Sequence, residues 1–254
     1  MPRKLRNFEN QEIYHIIQRG IEGKPLFLDE KDYYRGIFSL YEFNNTNPVE
    51  IRERRAARKR LKAYGGTSPV NLAEISREIS SVMRLEEMER IEAQRRDLFV
   101  EILAFCLMPN HIHLILKQLK DRGISEFMRK MGAYVTYFNL RYKREGHLFQ
   151  DKFKAVHIKD DEHLKTEFVY VHTNPVSLIE PGWKEKGIKD LAKTIEFIEQ
   201  YKWSSYADYI GGKNFPSLTS RDFMLDLMGG VDGCRNFVND WLEYKTEIAG
   251  PRAL

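Results

Sequence analysis

Two histidines one residue apart, His111-Ile112-His113, open the short apolar run HIHLILK. Successive side chains of a β-strand point to opposite faces. This run therefore puts both imidazoles on one face and Ile112, Leu114 and Leu116 on the other, toward a core. Two neutral imidazoles so placed can chelate a divalent metal. The pattern also occurs as ordinary surface or core histidines, so it needs a second feature beside it. Tyr170 and Asn174, in DEHLKTEFVYVHTNP, supply one. Four apart, they share a helix face. Asn174 precedes Pro175, and a residue before proline avoids the α region, so Asn174 is expected at a fraying helix end. Its amide oxygen there can be a third metal ligand, with Tyr170 one turn back. The alternative, Tyr170 as a core aromatic and Asn174 as a helix stop, stays open on spacing alone. His172 points elsewhere and is not counted.

Positioning these groups requires strands and helices. Glu12 to Arg19 reads as a β-rich first strand closed by Gly20. Asp29 caps a helical run through Phe43. Asn44 to Pro48 is a turn cluster, and the segment 44–97 reads as a basic helical insertion with a second helical run from about Asn71 to Arg96. Its charges suit a solvated face. Leu98–Leu107 and His111–Lys117 form an antiparallel hairpin around the turn Met108-Pro109-Asn110. A helix is expected over Ile124–Lys143, ended by Gly146, then a strand over Asp151–Lys159 and a helix over Asp161–Thr173. Beyond Pro181 the chain is helical and loop-rich, with amphipathic runs at Ser220–Met228 and Asp232–Glu243. The economical packing is α+β: an antiparallel sheet with helices on one face, a helical insertion and a helical C-terminal tail. Residues 1–210 are assigned to one domain and 211–254 to the tail.

Composition narrows the partners. The chain has 254 residues, enough for a substantial core, and 12% aromatics, too many for a disordered chain. No apolar stretch of ~18 residues exists, so no membrane span is expected. The charges near the first residues are not followed by an apolar segment, so no secretory signal is expected either. A net charge of +4 permits a nucleic-acid partner. The two cysteines, Cys106 and Cys234, form no CxxC pair, which argues against a disulfide framework or a cysteine zinc site and for the cytoplasm.

Taken together, YHIIQRG, LMPNHIHLIL, GHLFQDKFKAVHIKDDEHLKTEFVYVHTNPV and WSSY resemble the single-tyrosine HUH transposases, in particular their REP-associated, insertion-sequence-200-like branch. The resemblance covers roughly 8–43 and 98–210, leaves out 44–97 and weakens beyond 210. It implies a ferredoxin-like antiparallel sheet. It matches His111 and His113 to the paired metal ligands, Tyr170 to the nucleophile and Asn174 to the third ligand, where related enzymes often carry glutamine. It implies a divalent cation, Mg2+ or Mn2+; zinc would also bind imidazoles. The implied chemistry is attack by Tyr170 on single-stranded, hairpin-forming DNA. That step gives a 5′-phosphotyrosine link and a 3′-hydroxyl, which permits rejoining without ATP.

Basic residues that can hold phosphates are Arg141, Arg144, Lys152 and Lys154, flanking His147, Phe149 and Phe153, together with Arg3, Lys4, Arg6 and Arg19. For each of them simple solvation is the competing role, and Phe149 and Phe153 suit the core. The competing functions are a metal-dependent hydrolase that does not need Tyr170, and a domesticated, non-catalytic DNA-binding protein or repressor. A homodimer is left open, because no heptad or interface is visible in the sequence.

Overall fold

The computed structural model describes residues 7–47, 96–150 and 152–249. The basic arm with Arg3, Lys4 and Arg6, and the helical run from Asn71 to Arg96 except for Arg96 itself, lie outside the described residues. The chain divides into two compact units, 1–44 with 99–254, and 45–98. In the second unit, Thr46 donates to Asp97 through its backbone N–H (2.8 Å) and its hydroxyl (2.6 Å). In the first unit the two chain ends flanking this segment are tied together. The Asn44 amide donates to the Val100 carbonyl at 2.8 Å and accepts from the Val100 N–H at 3.1 Å.

The first unit runs β1 (Ile13–Arg19), α1 (Glu30–Phe43), β2 (Val100–Met108), β3 (His111–Gln118), α2 (Gly123–Met131), α3 (Ala133–Tyr142), β4 (Lys154–Ile158) and α4 (Asp161–Thr173). It continues with α5 (Trp183–Lys186), α6 (Leu191–Gln200), α7 (Tyr206–Tyr209), α8 (Asp222–Met228) and α9 (Gly230–Ala249). The strands pair in the order β2-β3-β1-β4, every pair antiparallel. A first strand at the centre, with a helical crossover after β1 and after β3, is the ferredoxin-like arrangement. Local signals start the helices. Asp29 caps α1 by accepting from the Asp32 N–H at 3.1 Å, and Asp160 caps α4 by accepting from the His163 N–H at 2.8 Å.

The single helix expected over 124–143 is two. Gly132, a poor helix former, separates α2 from α3, and the chain tightens there through i→i+3 bonds from Gly132 N–H to Arg129 and from Val135 N–H to Gly132. The last strand is also shorter than expected, beginning at Lys154.

Register assigns each strand residue a face. Phe105, Leu107, Ile112, Leu114 and Leu116 share one face with Tyr14 and Ile16, and all are buried. Helix α1 approaches this face closely. A Cβ on Gly36 would fall 2.8 Å from the Phe27 ring and 3.2 Å from Leu107. Helix α3 joins through Tyr134, whose hydroxyl donates to the Leu26 carbonyl at 2.7 Å.

The expectation of helices on one face holds only for these crossover helices. The opposite face is covered as well. There Ala104, Cys106, Met108, Ile115 and Ile158 pack with Leu164, Phe168 and Val171 of α4. Met224 and Met228 of α8 and Val238 and Leu242 of α9 join the same cluster. Residues beyond 210 therefore belong to the same unit as the sheet, and no boundary falls at 210. The WSSY segment docks the tail onto β2: Leu107 N–H donates to the Trp203 carbonyl (2.8 Å), Ser205 N–H to Phe105 (3.0 Å), and Phe105 N–H to the Ser205 hydroxyl (3.0 Å). Among the described residues no helix is long and apolar enough to cross a membrane.

His172 of α4 lies wholly inside this second layer, 2.8 Å from the Ser205 hydroxyl. Burial pushes its imidazole down to about 3, whereas in an unfolded chain it titrates near ~6.5. The unfolded state then binds more protons in between, so the stabilising effect is complete above ~6.5 and is lost as pH falls toward 3. His172→Gln should be less stable than the parent at pH 7 but lose less on acidification from pH 6.5 to 3.5. Urea unfolding midpoints at each pH check this.

Candidate active site

Pairing of β1 with β3 sets Ile17 opposite His113 and Arg19 opposite His111. His15, Ile17 and Arg19 therefore share the face of the two histidines, and α4 lies over it. The His111 and His113 rings are 4.8 Å apart, edge to face. The Tyr170 ring stands 5.5 Å from His113 and 5.8 Å from His15. Three residues picked out from the sequence, on β3 and α4, thus converge on one place.

The electrostatics suit a metal ligand set. Burial, then Arg19 and Lys184, hold the His111 imidazole down to about 4. Burial, then His15 and His111, hold His113 well below its ordinary value. Both rings are therefore neutral at pH 7, as coordination requires. Asn110 orients its amide by donating to the Gly23 carbonyl at 3.3 Å, so its Oδ1 faces His111 Nδ1 at 2.7 Å. The His111 proton then sits on Nδ1 and Nε2 is bare. His113 Nε2 is buried without a hydrogen-bond partner. Among the described residues no cluster of three or more His, Cys, Asp or Glu side chains could hold a metal ion. A cation here would rest on two imidazoles and an amide.

Asn174 departs from expectation. It is helical (φ −53°, ψ −38°) and buried rather than frayed. The chain runs on into a tight helical turn, Asn174–Leu178, whose leading positions include Pro175, where the missing N–H costs nothing. The Asn174 amide donates to the Tyr170 carbonyl at 2.7 Å, turning Oδ1 away from that bond.

Sequence reasoning missed three neighbours. His15 Nε2 lies 2.8 Å from His113 Nδ1. Glu167 Oε2 lies 2.7 Å from His15 Nδ1, off the ideal N–H direction. Lys184, from α5, holds its ammonium 4.1 Å from the centre of the Tyr170 ring. His15 was detectable, because it alternates with Ile17 and Arg19 along β1. Glu167 stands one helical turn before Tyr170. Nothing local marks Lys184.

The family model described as "Transposase IS200 like" matches residues 77–174, the stretch that holds His111, His113, Tyr170 and Asn174. A Haemophilus influenzae protein with the provisional name REP-associated tyrosine transposase is 30% identical over 88 residues, which are 30% of this chain and 49% of that protein. The chain spans about half the length of this curated relative. A solved structure of a REP-associated tyrosine transposase bound to a REP hairpin aligns with 87% of this chain and 93% of its own, at a TM-score of 0.45 and 13% identity. The resemblance to insertion-sequence-200-like, REP-associated transposases is borne out over 98–174; the family match also takes in 77–97, which the motif reading left out.

The basic residues separate by environment. Arg19, Lys152 and Lys154 are exposed and, with Ile17 and Gln150, line a groove. The groove shares Arg19 and Gln150 with a small hollow that is also lined by His111 and Asn110. Arg144 reaches the His147 carbonyl at 3.1 Å. Phe149 lies 6.3 Å from the Tyr134 ring, and Phe153 stacks on Phe8 at 6.2 Å. Arg141 is committed internally. It binds Asp29, Asp32 (2.6 Å) and the Tyr137 hydroxyl (2.9 Å), and Asp32 is fully buried. Arg141→Ala should lower Tm by several degrees, since it leaves a buried carboxylate without its ion partner. The salt dependence of DNA binding should be unchanged. Calorimetry and a salt titration on the same variant check both.

Proposed function

We propose that this chain cuts and rejoins single-stranded, hairpin-forming DNA, with Tyr170 as nucleophile and Mg2+ or Mn2+ held by His111, His113 and Asn174. The observation that carries the reading is the Tyr170 ring packed 5.5 Å from the buried ring of His113. The match to insertion-sequence-200-like transposases over the same residues, and the transposase name of the H. influenzae relative, support it.

The Nε2 atoms of His111 and His113 and the amide oxygen of Asn174 are the donors that would fit the cation. When bound, it polarises the scissile phosphate and offsets charge that builds in the transition state. The protein does the rest. A free tyrosine titrates near ~10, so the hydroxyl needs help to attack at neutral pH. The Lys184 ammonium at the Tyr170 ring stabilises negative charge that develops beside it. The Tyr170 hydroxyl loses its proton and its oxygen bonds to phosphorus as the P–O3′ bond breaks; the departing 3′ oxygen takes up a proton to become a hydroxyl, so one proton is lost and one gained. The phosphodiester is conserved as a phosphotyrosine, so an incoming 3′-hydroxyl can reverse the step. Arg19, Lys152 and Lys154 hold backbone phosphates along the groove beside His111.

Tyr170→Phe removes one oxygen and keeps the ring. With an end-labelled single-stranded hairpin and Mn2+, the parent should form an SDS-resistant adduct and the variant none, while both bind the hairpin equally. Continued cutting by the variant without an adduct would establish a hydrolase. Binding by the parent with no cutting at all would establish a DNA-binding protein. His111→Ala should lower cleavage ~10–100-fold or more, measured as rate against metal concentration. Arg19→Ala and Lys154→Ala should each reduce the slope of log affinity against log salt by ~0.7 on single strands. Unchanged slopes would move the DNA path elsewhere.

A further inference from the structure

Three side chains from three elements form a line that ends at an unpartnered atom. Glu167 of α4 stands 2.7 Å from Nδ1 of His15 on β1. His15 Nε2 stands 2.8 Å from Nδ1 of His113 on β3. His113 Nε2 is buried with no hydrogen-bond partner. The His15 side chain is 3% exposed and that of Glu167 18%, so water does little to screen the line.

The order of protons along it follows from electrostatics. A carboxylate oxygen at 2.7 Å favours the proton on His15 Nδ1, because a lone pair there would face negative charge. Neutral His15 then presents a lone pair at Nε2. Two nitrogen lone pairs cannot face each other at 2.8 Å, so His113 carries its proton on Nδ1. His113 Nε2 is left with its lone pair directed away from the line. The reverse order has two faults. It sets the His15 Nδ1 lone pair against the carboxylate, and it buries the His113 Nε2–H with no acceptor. A doubly protonated His15 would cure the first fault and keep the second.

We propose that Glu167 and His15 are positioning residues that lock His113 in the Nδ1–H tautomer and so present its Nε2 as the donor to a divalent cation. This rests on the metal reading given above, but the tautomer can be tested without metal. A ligating histidine commonly needs such a partner on its other nitrogen, and losing it costs roughly 10–100-fold in metal affinity. Here the partner is a second histidine, itself oriented by a carboxylate on the helix that carries Tyr170. The strand pair and α4 must therefore be docked before the donor is set.

The test uses the metal-free full-length chain labelled with 15N-histidine. Long-range 1H–15N correlation should show His113 protonated at Nδ1 and bare at Nε2; a proton on Nε2 overturns the proposal. His15→Phe keeps a ring and removes the acceptor, and Glu167→Leu removes the carboxylate from a less buried position. In each, the His113 signals should move toward a tautomer mixture, and Mn2+ affinity by electron paramagnetic resonance should fall ~10–100-fold. Far-ultraviolet circular dichroism should stay that of the parent. His15→Gln, whose carbonyl can accept from His113 Nδ1–H, should restore most of the affinity. Parental tautomer and parental Mn2+ affinity in both His15→Phe and Glu167→Leu overturn the proposal. If His15→Phe does not fold, Glu167→Leu decides. If the parent binds no Mn2+ yet shows the Nδ1–H tautomer that is lost in Glu167→Leu, the metal reading fails and the positioning line stands.

Discussion

The antiparallel pairing of β1 with β3, in the register that sets Ile17 opposite His113, is the constraint on which the site depends. Side chains alternate with a period of two, so a slip by one residue would send His15 to the opposite face and bring Tyr14 or Ile16 to its place. The register is held because the opposite face is an apolar layer. Ile16, Leu114 and Leu116 are all but fully buried there, and a slip by one residue would turn a strand's apolar set out of that layer. The hydrophobic demand of one face thus places the polar groups of the other.

Covering that polar face changes its chemistry. On an open sheet the two histidines would be solvated and titrate in the ordinary range. Burial on the face that α4 covers takes both rings out of water, and Arg19 and Lys184 stand near enough to disfavour further positive charge. Neutral imidazoles with lone pairs are the result. The same helix brings Tyr170 and, at its C-terminal end, Asn174, so the proposed nucleophile and the proposed third donor arrive with the cover that keeps the histidines neutral. The groove with Arg19, Lys152 and Lys154 stays open at the β1–β4 side.

The tail has a structural part in this. WSSY adds backbone hydrogen bonds to β2, and α8 and α9 complete the core on which α4 rests. Lys184 enters the site from α5, between α4 and that tail, and the Lys184 carbonyl accepts from the Lys245 ammonium of α9 at 3.2 Å. The packing of α8 and α9 therefore bears on the setting of Tyr170, although these helices contain none of the proposed ligands.

Local sequence determined a good deal. The alternation in HIHLILK put both histidines on one face, the four-residue spacing aligned Tyr170 with Asn174, and the order of strands and helices implied the antiparallel sheet, because period and chirality act over a few residues. Three outcomes lay beyond its reach. Asn174 stays helical before a proline because the chain continues into a second, tight helical turn that is buried against the core. Arg141 is an internal ion partner rather than a free cation because α3 docks beside Asp29 and Asp32, more than a hundred residues earlier. Glu167 and Lys184 join the site, as neighbours of His15 and Tyr170, only when β1, α4 and α5 are brought together from across the chain. Their partners are set by strand pairing and core packing, and a contact such as that of His15 with Tyr170, 155 positions apart, leaves no trace in the spacing of either one.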